Sequence, residues 1–284
     1  MRPRLPVALL AATLCSACQF HLYDPVEEIS FHEYTDTKSA VDAVLADAGP
    51  AKVYAVGEYH ATRGVKVDTS PLVRFTSDVL DLMIPHSRHL VIETWIDDGC
   101  KPSQQVKKDV QAETGRPPST STDIDALVMK SAQKKLVTHG LAMTCIEHGS
   151  LLDAMGRVDF LRLLELVTEK LGDTARGLVD DGRAVIVYGG ALHNDLYPRW
   201  QLETLSYADK LNKDLGGGVV EIDLVVPEII APMSMVRSEP WFPLIGRAAP
   251  NRVMVWKRGP TSFVVILPAQ SDEVAKIARP VHRG

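Results

Sequence analysis

Val53-Tyr54-Ala55-Val56-Gly57-Glu58-Tyr59-His60 is the stretch on which the reading of the fold turns. A short apolar, partly β-branched run leads straight into glycine, an acid and a histidine, without the polar alternation of a half-exposed strand. Strands of parallel sheets are buried on both faces and read this way, and the carboxyl edge of an open α/β sheet is where ligands sit. A second stretch repeats the arrangement: Ala184-Val185-Ile186-Val187 runs through Tyr188 into Gly189-Gly190-Ala191-Leu192-His193. Two Gly-x-x-His units at strand ends predict one site assembled from two parts of a single sheet.

Working outward, strands and helices alternate. Strands are predicted at Val53–Val56, His89–Thr94, Leu141–Ile146, Ala184–Tyr188 and Val219–Val225. Helices are predicted at Ser39–Ala46, along Leu72, Phe75, Val79 and Leu82 behind Pro71, through Ala126–Leu136, along Phe160 to Leu171, and at Trp200–Leu211. Val253–Trp256 and Ser262–Leu267, joined through Gly259-Pro260, read as a C-terminal β-hairpin. The expected fold class is therefore α/β, a mainly parallel sheet with helices on both faces and a hairpin at the end. The polar stretch Gln111–Asp123 is expected to be a surface loop. The Pro-, Trp- and Met-rich region Pro227–Pro250 reads equally as a lid, a membrane-facing segment, a dimer surface or ordinary packing.

With 284 residues, 45% of them apolar, the chain can bury one substantial core. A net charge of −5 without a basic aromatic face argues against nucleic acid as a partner. Arg2 and Arg4, the apolar run Leu5–Leu14 and Cys15-Ser16-Ala17-Cys18 have the form of a signal peptide over residues 1–17. Ser16-Ala17-Cys18 before Gln19 resembles a bacterial lipobox, with Cys15 where leucine is usual. That resemblance implies a membrane anchor at lipidated Cys18 and a periplasmic or outer-membrane location, with simple cleavage after Ala17 as the other reading. Residues 18–50 form an N-terminal segment ahead of the domain at 51–284. In an oxidising compartment Cys100 and Cys145 are either a disulfide or buried thiols.

The residues able to do chemistry fall at strand ends: Glu58 with His60, Glu93, Glu147 with His148, and His193 with Asp195. Glycines at 57 and 190 are expected to let the chain turn sharply and a ligand come close. Glu93 ends an apolar strand, where a carboxylate is costly unless paired. Imidazoles with carboxylates suit a divalent metal such as zinc, manganese or cobalt, or equally a metal-free general base. Glu147 and His148 are balanced between the site and a solvated loop. Tyr59 and Tyr188 neighbour the motifs as candidate pocket residues or haem ligands. No serine or cysteine stands in a nucleophile elbow.

Gly57-Glu58-Tyr59-His60, the strand-end Glu93 and Gly190-Ala191-Leu192-His193, in that order, resemble a superfamily over residues 50–230. It unites Tiki-type membrane proteases, ChaN-type haem-binding lipoproteins, TraB/PrgY-like proteins and erythromycin esterases. The Tiki-type branch implies a divalent metal held by His60, His193 and Glu58 or Glu93. The esterase branch implies metal-free hydrolysis by His60, Glu58 and Glu93. The ChaN branch implies haem bound at an exported lipoprotein. After the first histidine, Ala61-Thr62-Arg63-Gly64 departs from the ChaN pattern and is loosely similar to the esterase side. The expected function is cleavage of an ester or amide bond in a small-molecule or peptide substrate, with haem binding in iron uptake or a non-catalytic envelope domain as alternatives.

Overall fold

A computed structural model describes residues 29–60, 69–96, 116–271 and 274. The chain divides into two units, Met1–Ser30 and Phe31–Gly284, and the second carries every element described below. In order these are β1 (His32–Tyr34), α1 (Thr37–Ala48), β2 (Val53–Glu58), α2 (Pro71–Arg74), a π-helical turn (Phe75–Val79), α3 (Leu80–Met83) and β3 (His89–Ile96). Then come α4 (Thr120–Gln133), β4 (Val137–Ala142), α5 (Cys145–Ser150), α6 (Phe160–Asp180), β5 (Val185–Gly190) and α7 (Ala191–Asn194). A 3₁₀ turn (Glu203–Leu205), α8 (Tyr207–Asp214), β6 (Val219–Val225), α9 (Pro227–Ile230), a second 3₁₀ turn (Phe242–Arg247), β7 (Val253–Gly259) and β8 (Ser262–Ile266) complete it.

The strands make one open eight-stranded sheet in the order β1-β7-β8-β6-β2-β5-β3-β4. Pairing is parallel from β8 to β4, and β7 runs antiparallel to both β1 and β8. The expected α/β class, the mostly parallel sheet and the β7–β8 hairpin are all present. Alternate residues of the central strands serve two separate cores. Tyr54, Val56, Ile186 and Ile222 pack with α1 to α3, whereas Val53, Ala55, Val187 and Val219 pack with α6 and α8. That division follows from the two-residue repeat of a strand and explains why the central strands lack polar alternation.

Several local boundaries differ from the expectation, each for a readable reason. The strand expected at Leu141–Ile146 is instead Val137–Ala142, because Thr144 and Glu147 form a reciprocal capping box that makes Cys145 the start of α5. The helix expected at Trp200–Leu211 begins at Tyr207, where the Ser206 side chain caps the Asp209 N–H, and it ends at Asp214. α4 begins at Thr120, six positions before the expected Ala126, so the Ser/Thr run of the Gln111–Asp123 stretch supplies a first helical turn. Residues 111–115 of that stretch lie outside the described residues. The π-helical turn shifts the helical phase behind Pro71, so Leu80 and Met83 are buried while Leu82 is only partly covered. Within Pro227–Pro250, Ile229, Ile230, Val236, Trp241 and Ile245 are buried and Met235 stands exposed. Among the described residues no helix is long and apolar enough to cross a membrane. The signal and lipobox residues 1–18 lie outside the described part, as does Cys100. Cys145 is disulfide-bonded.

Candidate functional site

Three neighbouring strands of the parallel sheet, β2, β5 and β3, end around one small region. β2 delivers Glu58 and, two residues on, His60. His60 Nδ1 lies 2.6 Å from Glu58 Oε1. A carboxylate only accepts, so a proton is on Nδ1; Arg116 only donates, and its Nη2 lies 2.5 Å from Nε2, so Nε2 carries the lone pair. The second Glu58 oxygen accepts from the Tyr188 hydroxyl of β5. Burial, reinforced by the Glu58 charge, pushes the Tyr188 pKa well up and keeps that hydroxyl a donor. Tyr188 is in turn stacked on Phe75 of the π-helical turn, with ring centroids 4.2 Å apart. A buried aromatic pair thus fixes a hydroxyl, the hydroxyl fixes a carboxylate, and the carboxylate fixes an imidazole.

β3 contributes Glu93 through an irregularity. Its register against β4 shifts between Val91 and Trp95, a bulge that re-aims the residues between them. Glu93 lies over Gly189, where an added Cβ would come within 2.9 Å of Glu93 Oε2. Its Oε2 accepts from the Gly190 N–H at 2.6 Å, and its Oε1 accepts from Arg116 Nη2 at 2.5 Å. Burial alone would push the Glu93 carboxyl up. The Arg116 guanidinium, then His60, His193 and the Gly190 N–H, outweigh it and hold the pKa at about 2.

The second Gly-x-x-His unit delivers His193 from α7, a single turn that follows directly on β5. His193 Nδ1 faces Leu205 O at 3.1 Å and Thr168 Oγ1 at 2.8 Å, and the Thr168 hydroxyl itself donates to Leu164 O at 2.8 Å. The proton is therefore on Nδ1 here as well. Burial lowers the His193 pKa, so the ring is neutral. The two expected imidazoles do converge. A Cβ on Gly190 would lie 3.0 Å from His60 Nε2, 3.4 Å from Glu93 Oε2 and 3.5 Å from His193 Cδ2. Neither Gly57 nor Gly190 adopts a positive φ, so the glycines serve close approach and not the sharp turn expected of them. The space above Gly57 is already filled by Asp223 and Ala191.

Arg116 is a residue that the sequence did not single out. It lies in the Pro-, Ser- and Thr-rich stretch ahead of α4, and its Nη2 donates at 2.5 Å to His60 Nε2 as well as to Glu93. Its buried Nε–H has no acceptor. Next to these groups lies a void of about 20 Å³ bounded by Glu58, His60, Glu93, Arg116 and Tyr188. That is room for one water molecule. The larger cleft beside it, about 180 Å³, shares Glu93 and Arg116 and extends along Trp95, Leu141 and Val167.

Other expected residues lie elsewhere. Glu147 caps α5 and pairs with Lys170 at 2.6 Å, and His148 sits on the same short helix. Asp195 accepts from Arg258 at 2.6 Å. The Tyr59 ring packs 5.6 Å from Trp241, and burial together with Asp223 raises its pKa. Ala61–Gly64 lie outside the described residues.

Of the residues expected to ligate a metal, Glu58 is engaged by His60 and Tyr188. Arg116 Nη2 stands where an ion bridging His60 Nε2 and Glu93 Oε1 would need to be. Among the described residues no group of three His, Cys, Asp or Glu is arranged to hold a metal ion. As arranged, the Arg116 guanidinium lies between His60 Nε2 and Glu93 Oε1.

No family model and no curated protein matches the chain. Among solved structures, the type III effector HopBA1 matches with 12% identity and a TM-score of 0.44, over 87% of this chain and 100% of that one. A likeness at that level bears on neither family nor function.

Proposed function

We propose that the chain is a hydrolase-like protein that cleaves an ester or amide bond with His60 as general base. The observation that carries this is an imidazole with Nδ1 fixed on Glu58 and Nε2 beside a one-water void and the Arg116 guanidinium. A base must be oriented, unprotonated and within reach of the water it activates, and this arrangement supplies those conditions. Water held there loses a proton to Nε2 as its oxygen attacks the carbonyl carbon. The guanidinium of Arg116 moves its hydrogen bond from Nε2 to the developing oxyanion, for which the unpartnered Nε–H is a further donor. The His60 imidazolium, balanced by Glu58 and Glu93, then returns the proton to the leaving oxygen or nitrogen as the carbon–heteroatom bond breaks. Glu93, ionised throughout, holds Arg116 and the Gly190 backbone, and neutral His193 stands beside Gly190.

The proposal includes export, and anchoring through Cys18, on the strength of the signal and lipobox pattern in residues 1–18. The haem alternative draws no support from its candidate tyrosines, since Tyr188 is committed to Glu58 and Tyr59 to packing with Trp241. The test is hydrolysis of a chromogenic p-nitrophenyl ester by the wild type, His60→Ala and Glu58→Gln, with and without a chelator. The proposal expects turnover that is insensitive to the chelator and lost in His60→Ala at an unchanged melting temperature. Turnover surviving in His60→Ala overturns it, and chelator-sensitive turnover restored by zinc or manganese replaces it with the metal reading.

A further inference from the structure

A second acidic group lies on the same side of the sheet as Glu93. β6 reads Val219-Val220-Glu221-Ile222-Asp223-Leu224-Val225, and Glu221 and Asp223 point to the face covered by α6 and α8. Both are buried, at 1% and 5% exposure. Asp223 pairs in register with Gly57 of β2, and its Oδ1 lies only 2.1 Å from where a Gly57 Cβ would stand. The same spot is 2.9 Å from the Ala191 Cα, so Asp223 fills the glycine gap against the first residue of α7, the turn that carries His193. Glu221 Oε2 accepts from the Leu196 N–H at 3.2 Å, just beyond that turn. Glu221 thus holds the chain just past the His193 turn by a hydrogen bond, and Asp223 packs in the Gly57 gap beside the turn's first residue.

The charges facing this pair are unbalanced. Arg258, from the end of β7, is the cation in range among the described residues, and its Nη1 is 2.6 Å from Asp195 but 3.6 Å from Glu221. Asp195, after α7, and Glu239, before the second 3₁₀ turn, add negative charge, while Tyr59 and Tyr207 face the pair as neutral phenols. Asp223 Oδ1 and Glu221 Oε1 have no hydrogen-bond partner, nor do the buried amide atoms of Asn194 at the end of α7. Two buried carboxylates two residues apart on one strand, with one shared cation, cannot both be ionised cheaply.

We propose that Glu221 and Asp223 are positioning residues for His193 that seat its turn only while they are neutral acids. Burial, then Asp195, raise Glu221 to about 7 against the Ser262 hydroxyl, Arg258 and the Leu196 N–H, and burial, then Glu221 and Asp195, raise Asp223 well above the usual carboxyl range. A carboxyl raised on folding stabilises the fold fully below its ordinary range and loses that contribution as the pH rises through its folded value, here about 7 for Glu221. Ionisation at Glu221 places a second charge against the acids around Arg258 and loosens the segment from Ala191 to Ser206. The effect on turnover rests on the hydrolytic reading above, whereas the effect on stability and segment mobility does not.

The test uses the full chain as wild type and as Glu221→Gln with Asp223→Asn, melted from about pH 6 to about pH 8.5. Hydrogen exchange over residues 191–206 is followed in parallel, corrected for intrinsic rates. The proposal expects the wild type to lose several degrees of melting temperature and to gain exchange in that segment over this range. The amide double variant is expected to do neither and to hold its p-nitrophenyl ester turnover flat where the wild type declines. A double variant that keeps the wild-type slope overturns the proposal, as does exchange in the segment that ignores pH. Should the double variant not fold, the infrared band of a protonated buried carboxyl decides in the wild type: present at about pH 6 and gone at about pH 8.5 supports, absent at both overturns. Absence of ester turnover in every protein sinks the hydrolytic reading alone and leaves melting and exchange to judge the latch.

Discussion

Glu93 and Asp223 lie on one face of one sheet, with Gly189 and Gly57 between them, and they behave in opposite ways. Glu93 has a guanidinium at 2.5 Å and a backbone N–H at 2.6 Å, and its pKa falls to about 2. Asp223 has an unpartnered oxygen and acidic neighbours, and its pKa rises. Burial opposes charge in both places. The partner decides the sign, so one face of the sheet holds a depressed carboxyl beside His60 and raised ones behind the turn that carries His193.

The largest effect belongs to the reactive half. His60→Ala removes the base and is expected to lower ester turnover about 1000-fold, measured as kcat/KM, with the melting curve unmoved. The corresponding change on the other side, Asp223→Asn, is expected to leave turnover near wild type at about pH 6. If the two substitutions reduce turnover equally at that pH, the division between the halves is wrong.

Arg116→Ala strips the cation from a buried carboxylate and is expected to cost about 3 kcal/mol in denaturant unfolding. Adding Glu93→Gln to it should recover a good part of that loss, because the orphaned charge goes with it. An additive double variant would contradict the assigned pairing. The glycines sharpen the same contrast. A Cβ at Gly57 meets Asp223 at 2.1 Å and the Ala191 backbone at 2.9 Å, whereas one at Gly189 meets only side chains, the nearest the Glu93 carboxylate at 2.9 Å. Gly57→Ala is therefore expected to cost about 2 kcal/mol and Gly189→Ala about 1 kcal/mol, read by chemical denaturation.

Acid tells the halves apart with a smaller signal. A depressed carboxyl contributes stability that is present above its ordinary range and lost as the pH falls through about 2, so the Glu93 contribution should persist well below pH 4. A wild type and Glu93→Gln that converge in stability by about pH 4 would place the Glu93 value higher. The smallest expected signal is a haem titration, in which neither Tyr59→Phe nor Tyr188→Phe alters a Soret band. A saturable shift lost in one of them would revive the haem reading.

Much of the first half was legible in the sequence and much of the second was not. Apolar runs ending in Gly-x-x-His announced β2 and β5, and the cost of a carboxylate closing Val91-Ile92-Glu93 picked out Glu93. The same cost applies to Glu221 and Asp223 inside the apolar run of β6, where the signal stood unread because no glycine or histidine followed it. Arg116 had no local signal at all, since its role is set by contacts with residues 23 and 56 positions away in the chain. Glu147 shows the reverse error: an acid after a strand-like run was the third residue of a capping box, and its position answered to the helix and not to the site.

General-base action by His60 requires a ring with its proton on Nδ1 and a free Nε2, and nitrogen-15 NMR of the imidazoles reads this directly in the unliganded wild type. The predicted spectrum assigns His60, by loss of its signals in His60→Ala, to the Nδ1–H form at neutral pH, with that proton shifted by a hydrogen bond that weakens in Glu58→Gln. A His60 found in the Nε2–H form, or one whose signals ignore Glu58→Gln, would contradict it.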